Sequence, residues 1–198
     1  MFLSLYKPKG ISSFKVLSAL KKILKTKKVG HMGTLDPLAE GVLPVAVGKY
    51  TKLIPYVDLL PKQYLVEIFF GVDSETLDSE AVNLDALPEM KVNYSLEELQ
   101  LVVESFLGEI QQVPPKFSAI KIDGKRAYKL ARENNLDESQ IKSRLVELFS
   151  VSNFKLEKQI LSFTLECGSG FYVRSLVRDI GSQLGLPCFM FSLKRTKV

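Results

Sequence analysis

Residues 63 to 70 alternate strictly, with Tyr64, Val66, Ile68 and Phe70 on one side of the chain, and that two-residue period predicts a strand with one buried face. Residues 2 to 6 and 42 to 47 read as further strands. Between them, Lys7-Pro8-Lys9-Gly10 is a turn, and Ser12 or Ser13 caps a helix whose apolar side carries Val16, Leu17, Leu20, Ile23 and Leu24. Ser95-x-x-Glu98 is a capping box for a second helix that buries Leu96, Leu99, Val102, Val103 and Phe106 and closes at Gly108.

Pro114-Pro115 then opens a stretch rich in basic and small residues, which reads as an arm. Within it Asp123-Gly124 signals a tight turn before a short helix over residues 125 to 133. Residues 145 to 156 and 160 to 167 alternate as strands, and Gly168 to Gly170 breaks the pattern. Helical spacing follows at Val173, Leu176, Val177, Ile180 and Leu184, stopped by Gly185, and a last strand over residues 189 to 193 leads into Lys194-Arg195. Strands outnumber helices and no linker or repeat is visible, so the expected architecture is a single α+β domain around a mixed, largely antiparallel sheet flanked by helices.

Composition changes this picture little: 46% of the residues are apolar, 25% are charged, and no apolar run reaches membrane-spanning length. The start, Met-Phe-Leu-Ser-Leu-Tyr, lacks the features of an export signal. Cys167 and Cys188 form neither a CxxC pair nor a zinc ligand set, so a reducing, cytoplasmic setting is expected. Charge is more telling. Residues 1 to 62 hold eleven Lys and three acids, residues 63 to 113 one Lys and eleven acids, and residues 114 to 198 fifteen basic and eight acidic groups. Segment charges of +8, −10 and +7 suggest that the first and third segments form a polyanion-binding face with the acidic middle turned elsewhere, although solvation alone accounts for any single lysine.

Candidate chemistry gathers in residues 30 to 43, where Asp36 stands before Pro37 among Gly30, Gly33 and Gly41. Such a turn either starts an ordinary loop or displays a carboxylate rigidly. Arg174 falls in the first turn of its helix with Arg178 one turn on; a cation near a helix N-terminus and a like-charged pair are both unfavourable, so an outside carboxylate or phosphate is a natural partner. His31, the single histidine, reads as a general base, a ring that stacks on a nucleobase, or a structural loop residue between two glycine-bearing turns. Tyr64 is either a core residue or a working phenol. Phosphate-loop, dinucleotide, nucleophile-elbow and zinc-protease motifs do not occur, which leaves cofactor-free chemistry.

The run Gly30-His31-Met32-Gly33-Thr34-Leu35-Asp36-Pro37-Leu38-Ala39-Glu40-Gly41-Val42-Leu43-Pro44 resembles the catalytic motif of the TruB family of pseudouridine synthases. Lys7-Pro8-Lys9-Gly10-Ile11-Ser12-Ser13 resembles that family's opening motif, and Lys62-x-Tyr64 its second. Residues 113 to 121 with Gly124, Tyr128 and Ala131-Arg132 resemble its RNA-gripping insertion, placed here around residues 114 to 137, and Cys167, Gly170 and Tyr172-Val173-Arg174-Ser175-Leu176 with Asp179-Ile180-Gly181 resemble its third motif. The resemblance implies isomerisation of uridine 55 in the T loop of transfer RNA to pseudouridine, with the base flipped out of its stack. It further implies Asp36 as nucleophile, Arg174 as its partner and Tyr64 against the target base. Tyr172 and Leu193 would contact the flipped nucleotide, Lys7 would support the site, and His31 would fill the space the base leaves. No metal, redox or small-molecule cofactor and no membrane is implied; the expected partner is the T stem-loop of transfer RNA, met by a monomer.

The sequence departs from the family pattern in Ser74-Glu75-Thr76-Leu77-Asp78, Ala81, Phe117 and Gly168-Ser169, and it stops where bacterial relatives continue into an RNA-binding domain of PUA type, which is therefore expected to be absent. A binding module, a transfer RNA folding chaperone with catalysis secondary or lost, is the alternative function. A guide-RNA-dependent enzyme acting on ribosomal RNA is a third. The chaperone would need basic and stacking residues but not the Asp36 carboxylate.

Overall fold

The last strand of the chain lies inside the sheet rather than at its edge, and it joins two otherwise separate halves. In the computed structural model, which describes residues 1–57 and 61–198, one half holds β1 (Phe2–Lys7), β2 (Val29–His31) and β3 (Glu40–Val47) with helix α1 (Ser13–Ile23) packed on them. The other holds β4 (Lys62–Phe70), β5 (Gly108–Gln112), β8 (Arg144–Glu157) and β9 (Ile160–Cys167), covered by α2 (Leu96–Glu104) and α4 (Val173–Leu184). Strand β10 (Cys188–Lys197) sits between them, giving the order β1-β3-β10-β4-β9-β8-β5 with β2 paired to β3. A small hairpin, β6 (Lys121–Ile122) and β7 (Lys125–Arg126), followed by α3 (Ala127–Arg132), forms the arm.

Every pairing in the main sheet is antiparallel except that of β3 with β10, which matches Glu40 to Lys194 and Gly41 to Arg195. Gly41 makes this approach possible. Its φ is +112°, and a Cβ there would lie 2.1 Å from the Arg195 carbonyl oxygen, so only glycine lets the two backbones meet.

Side-chain alternation decides the layers. Tyr64, Val66, Ile68 and Phe70 of β4 face the helices together with Leu161, Phe163, Leu165 and Cys167 of β9. Phe69 points the other way and stacks on Phe189 at 5.4 Å. Leu176, Val177 and Ile180 of α4 are fully buried, each a contribution of roughly 1.5–3 kcal/mol. Ser12 caps α1, the Ser95/Glu98 box caps α2, and Gly185 ends α4 in the left-handed conformation.

Several expectations need correction. Ile23 is 75% exposed, because α1 ends there and turns its last residue off the packed side. Helix α2 stops at Glu104, and Gly108 instead opens β5. Residues 125 and 126 belong to the hairpin, whose Asp123 and Gly124 both take positive φ as the tight turn requires, so α3 starts only at Ala127. The final strand runs from Cys188 to Lys197, longer than its apolar core suggested, and β2 and β5 were not foreseen.

Candidate active site

Asp36 sits in the loop from β2 to β3, and the residues around it are fastened from several directions. Ser13 Oγ both donates to the Leu35 carbonyl and accepts from the Leu35 amide, each at 2.9 Å. The Gly10 amide donates to the Pro37 carbonyl at 2.8 Å, while Leu35, Leu38 and Ala39 are buried. Lys7 is wholly buried and its ammonium donates to the carbonyls of Pro8, Ile11 and Pro37 at 3.0, 2.6 and 3.2 Å. The opening motif and the Asp36 turn are thereby tied by one cation. Burial lowers the Lys7 pKa, with the negative fields of Asp36, Glu80 and Glu40 pulling it back.

Arg174 finds in Asp36 the outside carboxylate that its place in α4 called for. Its Nη2 lies 2.8 Å from Asp36 Oδ2 and also donates to the Phe117 carbonyl, while Nη1 donates to the Thr76 carbonyl and lies 3.6 Å from Asp78 Oδ2. The Arg174 side chain is 6% exposed and that of Asp36 is 37% exposed, so the guanidinium is enclosed and the carboxylate it aligns opens to solvent. Arg178 takes a separate route, pairing with Asp179 at 2.8 Å and donating to the Val113 carbonyl.

Asp78 is a second carboxylate of the site that the sequence reading passed over. Its side chain is 3% exposed and accepts from Thr76 Oγ1 and from the Glu80 amide. Burial raises its pKa, an effect opposed by those hydrogen bonds and by Arg174. This corrects the expectation that the acidic middle segment turns away: Asp78 meets Arg174, and Glu75 pairs with Lys116 of the arm at 3.5 Å. The signal was present in the departing stretch from Ser74 to Asp78, but spacing alone does not say which acid is buried.

The other expected site residues surround this pair at different removes. Tyr64 is buried on β4, with its hydroxyl 3.5 Å from Arg195 Nη1; burial raises its pKa and Arg195 opposes the rise. His31 ends β2 opposite Val45 rather than standing in a loop between turns, and its Nδ1 is buried without a hydrogen-bond partner. Burial first and the Arg195 charge second hold its pKa below the ordinary value. Tyr172 caps α4 with its backbone clasped by the Gln112 amide, whose Oε1 accepts from the Tyr172 amide and whose Nε2 donates to the Tyr172 carbonyl. Its ring packs on the arm's own small core of Ile120, Ile122, Ala127 and Ile141. Leu193 is 7% exposed on β10 opposite Val66, inside the main core. Asp36 and Arg174 are in direct contact; Lys7 reaches them through Pro37, and Tyr64 through Arg195.

At the base of the arm lies a cavity of about 470 Å³ lined by Lys121, Lys142 and Arg144 with Asp123 and Gln140. Among the described residues no group of His, Cys, Asp and Glu is arranged to hold a metal ion, and no helix is long and apolar enough to cross a membrane.

Comparison with known proteins gives concordant matches. Residues 21–173 match the model described as TruB family pseudouridylate synthase (N terminal domain). A "tRNA pseudouridine synthase B" of Clostridium novyi (strain NT) is 42% identical over 195 residues, 98% of this chain and 66% of the relative. Proteins of the same name from Ehrlichia ruminantium (strain Gardel) and Borreliella burgdorferi (strain ZS7) are 41% and 40% identical over the whole of this chain, 66% and 69% of their own lengths. The chain thus spans about two thirds of the curated relatives it matches. Among solved structures, one described as a Cbf5-Nop10-Gar1 complex aligns with a TM-score of 0.72 and 30% identity over 99% of this chain and 48% of the other. A second, described as an H/ACA RNP bound to a substrate RNA containing 2'-deoxyuridine, gives 0.68 and 27% over 99% and 46%.

Proposed function

The chain belongs to the TruB family of pseudouridylate synthases, and on that premise we propose that it isomerises uridine 55 in the T loop of transfer RNA to pseudouridine, with Asp36 as the nucleophile. One observation carries the reading: a solvent-open carboxylate held at 2.8 Å by an enclosed guanidinium, in a turn fixed on both sides. A carboxylate that only terminated a loop would need neither the buried Arg174 nor the anchoring of Leu35 and Pro37.

The reaction breaks the bond from ribose C1′ to uracil N1, turns the base, and joins C1′ to C5 while a proton moves from C5 to N1. Substrate and product have the same atoms, so the protein's task is positioning and charge. Asp36 acts at the sugar-base junction, and Arg174 keeps its oxygens pointed there. Tyr64 lies against the base, Tyr172 and Leu193 contact the flipped nucleotide, and His31 fills the space that the base leaves. The arm, residues 114–137, grips the RNA, and the lysines and arginines of the first and third segments meet its phosphates, so affinity falls as salt rises. Flipping the base costs a few kcal/mol, offset by these contacts.

The test is incubation with an unmodified T stem-loop RNA followed by mapping of pseudouridine. Asp36→Asn is expected to lower the rate by more than about 10,000-fold with RNA affinity retained. Product at the wild-type rate from that variant removes Asp36 as nucleophile, and retained RNA binding by a wild type that forms no pseudouridine favours the chaperone function.

A further inference from the structure

Arg195 is the largest wholly buried side chain among the described residues, 1% exposed, and nothing in the reaction outlined above uses it. Such a group is costly to enclose unless its donors are met. Three are. Nε donates to the Val42 carbonyl at 2.7 Å, Nη2 to the Gly33 carbonyl at 3.1 Å, and Nη1 lies 3.5 Å from the Tyr64 hydroxyl, with the guanidinium 6.0 Å from the Tyr64 ring centre. Among the described residues its charge meets no carboxylate within ion-pair distance, unlike that of Arg174. Gly33 and Val42 bracket the segment that carries Asp36, and Gly33 and Gly41 both lie against Arg195: a Cβ at Gly33 would stand 3.3 Å from Nη1 and one at Gly41 would strike the Arg195 backbone.

We propose that Arg195 is a positioning residue for pseudouridine formation: its fork fixes both ends of the Asp36 segment in one register with Tyr64 and occupies the phenolic oxygen as an acceptor. With its oxygen accepting from Arg195, the Tyr64 hydroxyl hydrogen is left to donate on the substrate side. Lysine cannot do this, because a single ammonium does not present coplanar donors to two carbonyls and a phenol. The inference rests on the functional reading above.

The test uses the full chain, with R195K, R195M and Y64F and the double variant Y64F/R195K, each first checked for folding by circular dichroism and thermal unfolding. R195K is expected to lower the single-turnover rate on T stem-loop RNA about 100-fold, as displacement of a reacting group by about 1 Å does, with RNA affinity unchanged. Because Arg195 acts partly through Tyr64, the combined loss in Y64F/R195K should be smaller than the product of the single losses. A separate arm needs no turnover: ultraviolet titration of the Tyr64 phenol, taken as the difference from Y64F, should shift upward in R195M and less in R195K, which keeps the charge. A folded R195K within about threefold of wild type, multiplicative losses in the double variant, or an unmoved phenol titration overturns the proposal. Failure of the wild type to form pseudouridine overturns the functional reading alone, since the titration still decides whether Arg195 governs Tyr64.

Discussion

The Asp36 loop, carried by the sheet, and the arm both reach Arg174, but they are built to different standards. Around Asp36 the support is sheet: Leu43, Val66, Ile68 and Leu165 have no exposed surface, and Lys7 and Arg195 tie loop carbonyls to it with buried charge. The arm has a four-residue core in which only Ala127 is fully enclosed, a hairpin of two two-residue strands and a six-residue helix. It is joined to the rest through carbonyls near its root, Val113 to Ser175 and Arg178 and Phe117 to Arg174. The difference teaches a division of labour: the carboxylate proposed to react takes its rigidity from the whole fold, whereas the segment proposed to hold RNA can open locally without unfolding the sheet.

The contrast is broken or sharpened most strongly at two positive-φ glycines. Gly41→Ala drives a Cβ into the β10 backbone and is expected to destabilise by more than about 4 kcal/mol, whereas Gly124→Ala at the arm's turn meets nothing within 4 Å and should cost about 1 kcal/mol from its φ alone; urea unfolding compares them. Equal losses would mean the arm is as constrained as the sheet. Next, Phe163→Ala empties a site with no exposure and should cost about 3–5 kcal/mol in global stability. Ile122→Ala should leave the unfolding midpoint nearly unchanged and appear instead as weaker binding of T stem-loop RNA. The smallest effect concerns pH. The folded-state pKa of His31 lies below its unfolded value near 6.5, so the unfolded chain takes the proton first on acidification. Its contribution is complete above about pH 6.5 and is lost as pH falls toward the folded value; His31→Gln should flatten that part of the stability curve.

Strands read from alternation matched the observed sheet closely, because a strand with one buried face writes its period directly into the residues, as β4 and β9 do. The Asp36 segment and Arg174 were legible for a different reason: each was locally unfavourable or over-constrained and therefore pointed outside itself. What stayed hidden depends on distance along the chain. Asp78 is one of eleven acids in its segment and only its burial distinguishes it. Arg195 reads as the polar end of a strand, since alternation says which face a residue takes but not that two remote carbonyls wait there. Only the loop setting expected for His31 fails, because a three-residue strand is too short for any period to register.

Strand β10 also bears on how the molecule is made. During synthesis the β1-β3 unit emerges first and the β4-β9 unit later, yet neither shares a main-sheet ladder with the other until residues 188–197 have left the ribosome. Until then β4 and the part of β3 not paired with β2 each present an open edge, the kind of surface on which nascent chains associate wrongly. Strand β10 acts as a zip fastener, and any trigger that holds it back, such as a stalled ribosome, should leave two adhesive half-sheets in place of one.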